Sequence, residues 1–442
     1  MKRLDCITIP LLKPTLMTKL PAPDSFKYVN LYFQVHQPKR LRRFQFSEIG
    51  SDISYFDDKL NAAIIKRIAE ECYIPANRLL MELIEKFPQV KLTFSISGSA
   101  IDQLSEYAPQ AIKSFQELAA TGSVEFLGET YFHSLAYLID KTEFADQVNQ
   151  HRKTISHLFG VRPTVFRNTD LMYSNGIGQT VFDMGFKGVY IDGVEKVLNG
   201  RSSDEVYKHP TCNLMLFPRD YRLSDDIAFR FSDKSWTEWP LTGDKFVSWL
   251  RAKPVDEKFI ALGLGYETFG EHKKASEGIF DFLRNFISRI AEAQDMKFTN
   301  LSEAGEVLQP KGVISTQKIT SWADDEKDMS AWLGSEIQRI AFDALSKLYP
   351  LVKNSSNSKL MKEYRYLQCS DHFYYMCTKE SQAGAVHDSV NHYHSSYEAF
   401  KNYLNIINDL EVQVKNAAKR RIESGDYEVR EKERLRRRAL LT

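Results

Sequence analysis

The segment Phe259–His272, FIALGLGYETFGEH, joins an apolar run to a polar and aromatic tail. Its first six residues predict a buried β-strand, because a short continuous apolar run is typical of a strand that is covered on both faces. The tail begins at Gly265 and includes Glu267. Charged side chains directly after a buried strand indicate a functional site at its carboxyl end.

The same pattern recurs along the first 300 residues. Helical patterns, such as the one at 101–120, separate most of the apolar runs, which predicts βαβ units and a parallel sheet. About seven repeats favour a closed or nearly closed barrel over an open sheet. The predicted strands are 28–35, 90–97, 124–127, 163–167, 187–191, 259–264 and 296–298, with further apolar runs at 214–218 and 227–231.

From about Ser321 the pattern is helical only, at 328–348, 358–377 and 397–418, and the stretch 420–438 is dense in both charge signs. We therefore predict an α/β chain in three parts. They are an N-terminal extension at 1–27, a barrel at 28–314, and a helical bundle with a charged tail at 315–442.

The composition excludes several classes of protein. The 442 residues include 59 basic and 58 acidic side chains, a net charge of +1 that argues against nucleic-acid binding. Five cysteines without a CxxC pair suggest neither a disulfide framework nor a zinc knuckle. Prolines and lysines interrupt residues 1–20, so we expect no signal peptide, and the absence of long apolar runs predicts no membrane span. A cytoplasmic protein is the simplest expectation.

Carboxylates, imidazoles and aromatic rings follow the predicted strands. This set suits sugar binding or glycoside chemistry, in which paired carboxylates act on a substrate held by stacking and hydrogen bonds. Neither a GxSxG elbow nor a GxxxxGKS phosphate loop occurs. The candidates, in chain order, are His36, Glu129, His133, Asp170, Asp192, Glu195, Gly265, Tyr266, Glu267, His272 and Glu303.

At these positions the chain resembles glycoside hydrolase family 57, in particular its α-amylase branch. The resemblance covers about residues 28–410 and includes helical segments at 319–338, 365–376 and 392–405. The motifs are HQP at His36, GSVEFLGETYFHSL at 122–135, VFRNTDLMYSN at 165–175, FIALGLGYETFGEH at 259–272, and Leu301–Glu303. HQP alone is a weak signal, whereas all the blocks in the same order are specific.

The resemblance implies an incomplete (β/α)7 barrel with a helical bundle, and retaining hydrolysis of α-1,4-glucans without a metal. It also implies a Glu nucleophile in the third motif and an Asp acid/base in the fourth. This chain has Asp170 and Gly265 there. Aspartate is one methylene shorter, and a misplacement of about 1 Å can cost on the order of a hundredfold in rate. Glycine cannot protonate a leaving group, which costs roughly 10²–10⁴. The chain is similar to family members with altered catalytic positions.

The remaining predictions concern binding. We expect the α-glucan to contact His36, Glu129, His133, Tyr266, Glu267 and His272. Whether Glu267 replaces the missing acid stays open, because positions i and i+2 of a strand share a face. We expect no cofactor and no metal, since His387, His392 and His394 match no closed zinc set.

Three hypotheses remain for the function. The first is an amylase-like protein that keeps its glucan cleft but is weakly active or inactive. The second is an active α-glucan hydrolase or glucanotransferase that uses Asp170 with another acid. The third is a non-catalytic structural or interaction protein with an unknown partner.

Overall fold

The computed structural model describes residues 26–379 and 391–439. The described strands are β1 (Lys27–Val35), β2 (Leu92–Ile96), β3 (Val124–Phe126), β4 (Val165–Arg167), β5 (Gly188–Asp192), β6 (Tyr207–Lys208), β7 (Met215–Arg219), β8 (Phe259–Gly265) and β9 (Met296–Phe298). Each predicted strand is present, with ends that shift by at most two residues from the apolar runs.

Two sheets form the wall of an incomplete barrel. One has the order β3-β2-β1-β8, with β9 pairing the first residues of β1, and the other has the order β4-β5-β7-β6. A parallel bridge between Gly128 and Phe166 joins them on one side. On the other side, β7 and β8 are not paired as a ladder. The Asp220 N–H, directly after β7, donates to the Ala261 carbonyl of β8 at 2.8 Å. The seven strands β1–β5, β7 and β8 thus confirm the predicted incomplete (β/α)7 barrel.

Helices surround this wall and continue after it. The helical pattern at 101–120 is two helices, because Pro109 lacks an amide hydrogen and begins a new one. The helices are α1 (Asp58–Ile68), α2 (Ile74–Lys86), α3 (Gly98–Tyr107), α4 (Pro109–Ala120), α5 (Ala136–Ile139), α6 (Lys141–Phe159), α7 (Asn175–Asp183), α8 (Glu195–Leu198), α9 (Tyr221–Asp225), α10 (Gly243–Ala252), α11 (Ile279–Glu292), α12 (Leu301–Val307), α13 (Ser330–Leu333), α14 (Glu336–Ser355), α15 (Ser358–Leu367), α16 (Ser370–Tyr374) and α17 (Ser396–Ala439). Short π-helical segments at Ala69–Tyr73 and Asp226–Arg230 adjoin α2 and α9.

Hydrophobic clusters hold the barrel and the helical region together. The largest packs barrel strands against their outer helices, with Phe33, Phe94 and Tyr266 at its centre. A second cluster combines residues of the barrel loops, such as Phe132 and Met172, with side chains of α13–α17. The helical region therefore packs directly on the carboxyl ends of the strands. No helix within the described residues is both long and apolar enough to cross a bilayer.

Candidate active site

The carboxyl ends of β1, β3 and β4 bring a polar cluster together at the barrel mouth. Glu129, His133 and Asp170 follow β3 and β4, and His36 follows β1. The His36 ring stacks on the His133 ring with centroids 3.9 Å apart. Four of the predicted site residues therefore lie side by side, as expected for strand ends on one edge of a barrel.

A buried ion-pair network connects Glu129 with His133. His133 Nδ1 lies 3.3 Å from Glu129 Oε2, and the Arg167 guanidinium lies 3.6 Å from the same oxygen. Burial raises the pKa of Glu129, but the His133 hydrogen bond and the Arg167 charge outweigh it and hold that pKa below its usual value. Arg167 also donates to Gln34 Oε1 at 2.6 Å. Glu129 and His133 are almost fully buried.

His133 is a buried cation between two carboxylates. Its Nε2 lies 3.8 Å from Asp170 Oδ1, on the opposite side of the ring from Glu129. Burial disfavours the charged imidazolium, but the contacts to Asp170 and Glu129 prevail and raise the pKa of His133 to about 9. At neutral pH the imidazolium faces the Asp170 carboxylate.

Asp170 occupies a strained backbone position. Its φ of 51° and ψ of 32° are left-handed, and the next residue, Leu171, has a φ of 53°. Such angles cost of order 1–3 kcal/mol each in non-glycine residues and cluster at functional sites. The Trp322 indole N–H donates to Asp170 Oδ1 at 3.1 Å, and Oδ2 is buried without a hydrogen-bond partner among the described residues.

The pKa of Asp170 lies below its usual value. Burial raises it, but the charge of His133, 3.8 Å away, outweighs the burial, and Arg167 contributes in the same direction. The carboxylate is therefore ionised and fixed in orientation. An ionised, oriented carboxylate is what a glycosidase nucleophile requires.

His36 uses both ring nitrogens inside the protein. Nδ1 lies 2.7 Å from Ser97 Oγ, and Nε2 lies 2.9 Å from Asp371 Oδ2. Neither nitrogen is free for the sugar-hydroxyl contact that the sequence predicts. The ring instead offers one face to His133.

Gly265 ends β8 and is exposed. It pairs in register with Gln34, the residue that binds Arg167, so it lies at the same edge of the barrel. A Cβ placed on Gly265 would have Glu267 Oε2 at 3.6 Å as its nearest neighbour within 4 Å. Position 265 thus has open space and no side chain.

Glu267 lies next to this open space. Its Oε1 accepts a short hydrogen bond from the Tyr73 hydroxyl and a longer one from Gln37 Nε2 at 3.4 Å. Burial raises the pKa of Glu267 to about 7, although the bonds from Tyr73 and Gln37 favour the ionised form. A carboxyl group with this pKa is partly protonated at neutral pH.

Two predicted binding residues are not part of the cluster. Tyr266 is fully buried in the core, where its hydroxyl donates to Asn77 Oδ1 at 2.6 Å, so it has no surface for a glucan. The strand ends at Gly265, and the following 3-10 turn rotates Tyr266 inward. His272 is exposed, and its backbone N–H donates to the Glu267 carbonyl at 2.9 Å.

Sequence reasoning did not assign roles to several residues of the cluster. Asp371 reaches His36 from the helical region, and Tyr73 reaches Glu267 from the π-helical segment before α2. Ser97 follows β2, just as the other site residues follow their strands. Its position alone could therefore have added it to the predicted site.

A polar cavity of about 700 Å³ lies apart from the Asp170 cluster. Its wall comes from the loops after β5 and β7 and the loop before β8. Acidic and basic side chains balance in its lining, with Glu195, Asp204, Asp220 and Glu257 against Lys196, Arg201, Arg222 and Lys253.

An incomplete (β/α)7 barrel with ionised carboxylates and histidines at its mouth is typical of one class of glycoside hydrolases. The chain belongs to glycosyl hydrolase family 57, whose family model matches residues 30–317. A Methanocaldococcus jannaschii protein, named provisionally as an α-amylase, is 38% identical over 400 residues, which are 88% of this chain and 85% of that protein.

More distant relatives agree with this placement. The α-amylase of Pyrococcus abyssi is 23% identical over 256 residues, which are 56% of this chain and 37% of that enzyme. Among solved structures, a family 57 branching enzyme from Thermococcus kodakaraensis is similar in fold, with a TM-score of 0.63 at 13% identity, over 88% of this chain and 94% of that one.

Proposed function

We propose that this chain binds an α-1,4-glucan across the carboxyl ends of the barrel strands and is weakly active or inactive as a hydrolase. The observation that carries the proposal is the open space at Gly265, in which an acid/base side chain would fit but none is present. Without that acid the leaving group departs unassisted, at a cost of roughly 10²–10⁴ in rate.

The side chains around Asp170 support the proposal that the chain still binds a glucan. Asp170 keeps an ionised carboxylate, and Arg167, Glu129 and His133 form an intact ion-pair network next to it. We infer that Glu129 and His133 position Asp170 and do not touch the glucan, because both are buried. The relatives include a protein named 4-α-glucanotransferase from Thermococcus litoralis, which favours an α-glucan as the ligand. The balanced net charge of the chain fits a neutral polymer.

The test restores both positions. The wild type and an Asp170→Glu/Gly265→Asp variant are assayed side by side on maltoheptaose, with binding of the same sugar measured by calorimetry. We expect both proteins to bind the sugar and only the double variant to release products. A wild type that binds no maltoheptaose at millimolar concentration would contradict the proposal.

A second function is favoured by Glu267. Its Oε2 faces the vacant position at Gly265, and a pKa of about 7 lets it donate a proton at neutral pH. In this alternative the chain is an active retaining hydrolase or glucanotransferase, with Asp170 as nucleophile and Glu267 as acid. Activity in the wild type that disappears in both Glu267→Gln and Asp170→Asn would establish it.

A further inference from the structure

A cluster of three metal-ligand side chains joins the barrel to the helical region. His36 follows β1, and Cys369 and Asp371 lie at the junction of α15 and α16. Their ligand atoms lie within 4.8 Å of one another. His36 Nε2 is 2.9 Å from Asp371 Oδ2, Cys369 Sγ is 3.2 Å from the same oxygen, and Cys369 Sγ is 3.8 Å from His36 Nε2.

These separations match those between ligands of one tetrahedral ion. Zn²⁺ binds nitrogen, oxygen and sulfur at bond lengths that place neighbouring ligand atoms about 3.4–3.6 Å apart in a tetrahedron. The three observed separations scatter around that value and differ from it by about 0.5 Å or less. A small shift of each side chain would place all three at bonding distance from one ion.

The cluster contains two side chains that can act as anionic ligands, next to the His133 ring that stacks on His36. Among the described residues, the one ion pair of Asp371 is with His36, and neither a lysine nor an arginine reaches it. Cys369 is buried and directs its sulfur at the same carboxylate. The Asp371 side chain is 22% exposed, so an ion bound there can also reach solvent water. One thiolate and one carboxylate would neutralise a divalent ion.

The side chains around the cluster already hold the ligands in place. Ser97 Oγ binds His36 Nδ1, the type of outer hydrogen bond that orients a metal-binding imidazole with Nε2 toward the ion. An antiparallel bridge between Ser134 and Cys369 fixes the backbone that carries the other two ligands. The ligand side chains are therefore held in place without a bound ion.

A nucleophilic role for Cys369 fits this geometry poorly. In a Cys-His-Asp relay the carboxylate orients one ring nitrogen and the nucleophile faces the other. Here Asp371 and Cys369 both face Nε2 of His36. Burial also raises the pKa of the Cys369 thiol, which disfavours a free thiolate.

We propose that His36, Cys369 and Asp371 bind one divalent transition-metal ion of the Zn²⁺ type, with the fourth position left to water. Binding replaces the thiol proton of Cys369 by the ion and releases that proton to solvent, because thiolate is the ligand form. The ion links the end of β1 to the α15–α16 junction. The inference is independent of the proposed glucan function.

Cobalt provides a direct test on the full chain, because Co²⁺ in a tetrahedral site with a thiolate ligand absorbs visible light and shows a thiolate charge-transfer band. The protein is stripped with a chelator and titrated with Co²⁺ alone. We expect one equivalent to bind with both signals, and Zn²⁺ to displace it. Cys369→Ser should lose the charge-transfer band, and Asp371→Asn should weaken binding at least tenfold.

Two cysteine variants serve as controls. Cys72→Ser should keep the signals, since Cys72 is equally buried but binds the Tyr266 carbonyl. Cys212→Ser should also keep them, although Cys212 lies 3.2 Å from His209 Nδ1. The proposal is overturned if the wild type binds no Co²⁺, or if the band survives in Cys369→Ser. Should Cys369→Ser fail to fold, a melting temperature that Zn²⁺ raises equally in the wild type and Asp371→Asn would overturn it as well.

Discussion

Two buried histidines face Glu129 and differ in charge. His133 lies between Glu129 and Asp170 with its pKa raised to about 9, despite its burial. His151 donates from Nε2 to the Ile96 carbonyl at 2.9 Å and accepts from the Glu129 N–H at Nδ1, so it is a neutral Nε2–H tautomer. Burial lowers the pKa of His151. The same carboxylate therefore stabilises one imidazolium and leaves its other neighbour neutral.

The first prediction follows from this difference. At pH 7.5, nitrogen NMR of histidine-labelled protein should show His133 protonated at both ring nitrogens and His151 protonated at Nε2 only. The His133 pKa is raised above its unfolded value of about 6.5, so its contribution to stability is complete below pH 6.5 and is lost as the pH rises through about 9. Asp170→Asn should lower the His133 pKa. A neutral His133 at pH 7.5 would contradict the network.

The second prediction compares two glycines of the same motif. Gly265→Ala should leave stability unchanged or raise it by up to about 1 kcal/mol, because its φ of −61° suits any residue and the added Cβ meets open space. Gly270→Ala should cost about 1–3 kcal/mol, because Gly270 has a φ of 117° and a Cβ there would collide with the Glu71 carbonyl. Urea unfolding of both variants measures the difference, and equal destabilisation would show that position 265 is structurally constrained.

At the residue scale, the sequence predicted that certain side chains lie together and missed several of their partners. Asp170, Glu129 and His133 lie together because each follows a strand, and the ends of barrel strands converge. Asp371 stands 335 residues after His36, and its contact exists only because the helical region packs on the barrel mouth. Tyr266 was predicted to contact the glucan, but its side chain is buried in the core. It begins a 3-10 turn directly after Gly265, and the local sequence pattern does not indicate that turn.

At the scale of elements, the segment 319–329 crosses the barrel mouth. Thr320 forms a bridge with Tyr173, and the Trp322 ring binds Asp170. Lys327 donates to the Trp322 carbonyl at 2.7 Å and lies 3.6 Å from Asp192 at the end of β5. The segment thus contacts the loops or ends of two strands and lies against Asp170.

A bound glucan must therefore change the surroundings of Trp322. We predict that maltoheptaose changes the intrinsic tryptophan fluorescence in a saturable way, and that Trp322→Phe removes most of this change while Trp332→Phe retains it. Trp332 is the matched control, because it is almost fully buried in the helical region and packs on Tyr374. A response that persists in Trp322→Phe would place the sugar elsewhere, for example in the polar cavity beside Asp204 and Lys253.

Elements were predicted better than their boundaries. The strands follow from apolar runs because a barrel strand is buried on both faces, which leaves a strong local signal. Pro109 itself marks the split between α3 and α4, whereas the π-helical segment before α2 could not be placed from periodicity alone. The predicted division near residue 315 stays a prediction.

At the scale of the whole molecule, the barrel and the helical region share one hydrophobic cluster. Phe132 from the loop after β3 stacks edge-on with Tyr366 of α15, at 4.8 Å between centroids. Loss of the helical region would expose this part of the barrel to water. The free-energy cost is roughly 25 cal/mol per Å² of exposed apolar surface. We therefore expect the two regions to unfold together.

The last prediction concerns the ion pair that crosses this boundary. Arg365 of α15 binds Glu143 of α6 through two hydrogen bonds of 2.8 Å each, and the Glu143 side chain is only 1% exposed. Arg365→Met leaves a buried carboxylate without its cation, and Gln147 and Gln368 compensate only in part. The expected cost is on the order of 3 kcal/mol.

Arg284→Met is the matched control, because Arg284 and Glu82 also lie 2.8 Å apart but are each half exposed, and exposed pairs contribute at most about 1 kcal/mol. Calorimetry of the wild type and both variants should show a single transition, shifted strongly to lower temperature in Arg365→Met alone. Since the shared cluster remains intact in that variant, the transition should move without splitting. Two separated transitions would mean that the barrel and the helical region fold independently and that the cluster between them couples them only weakly.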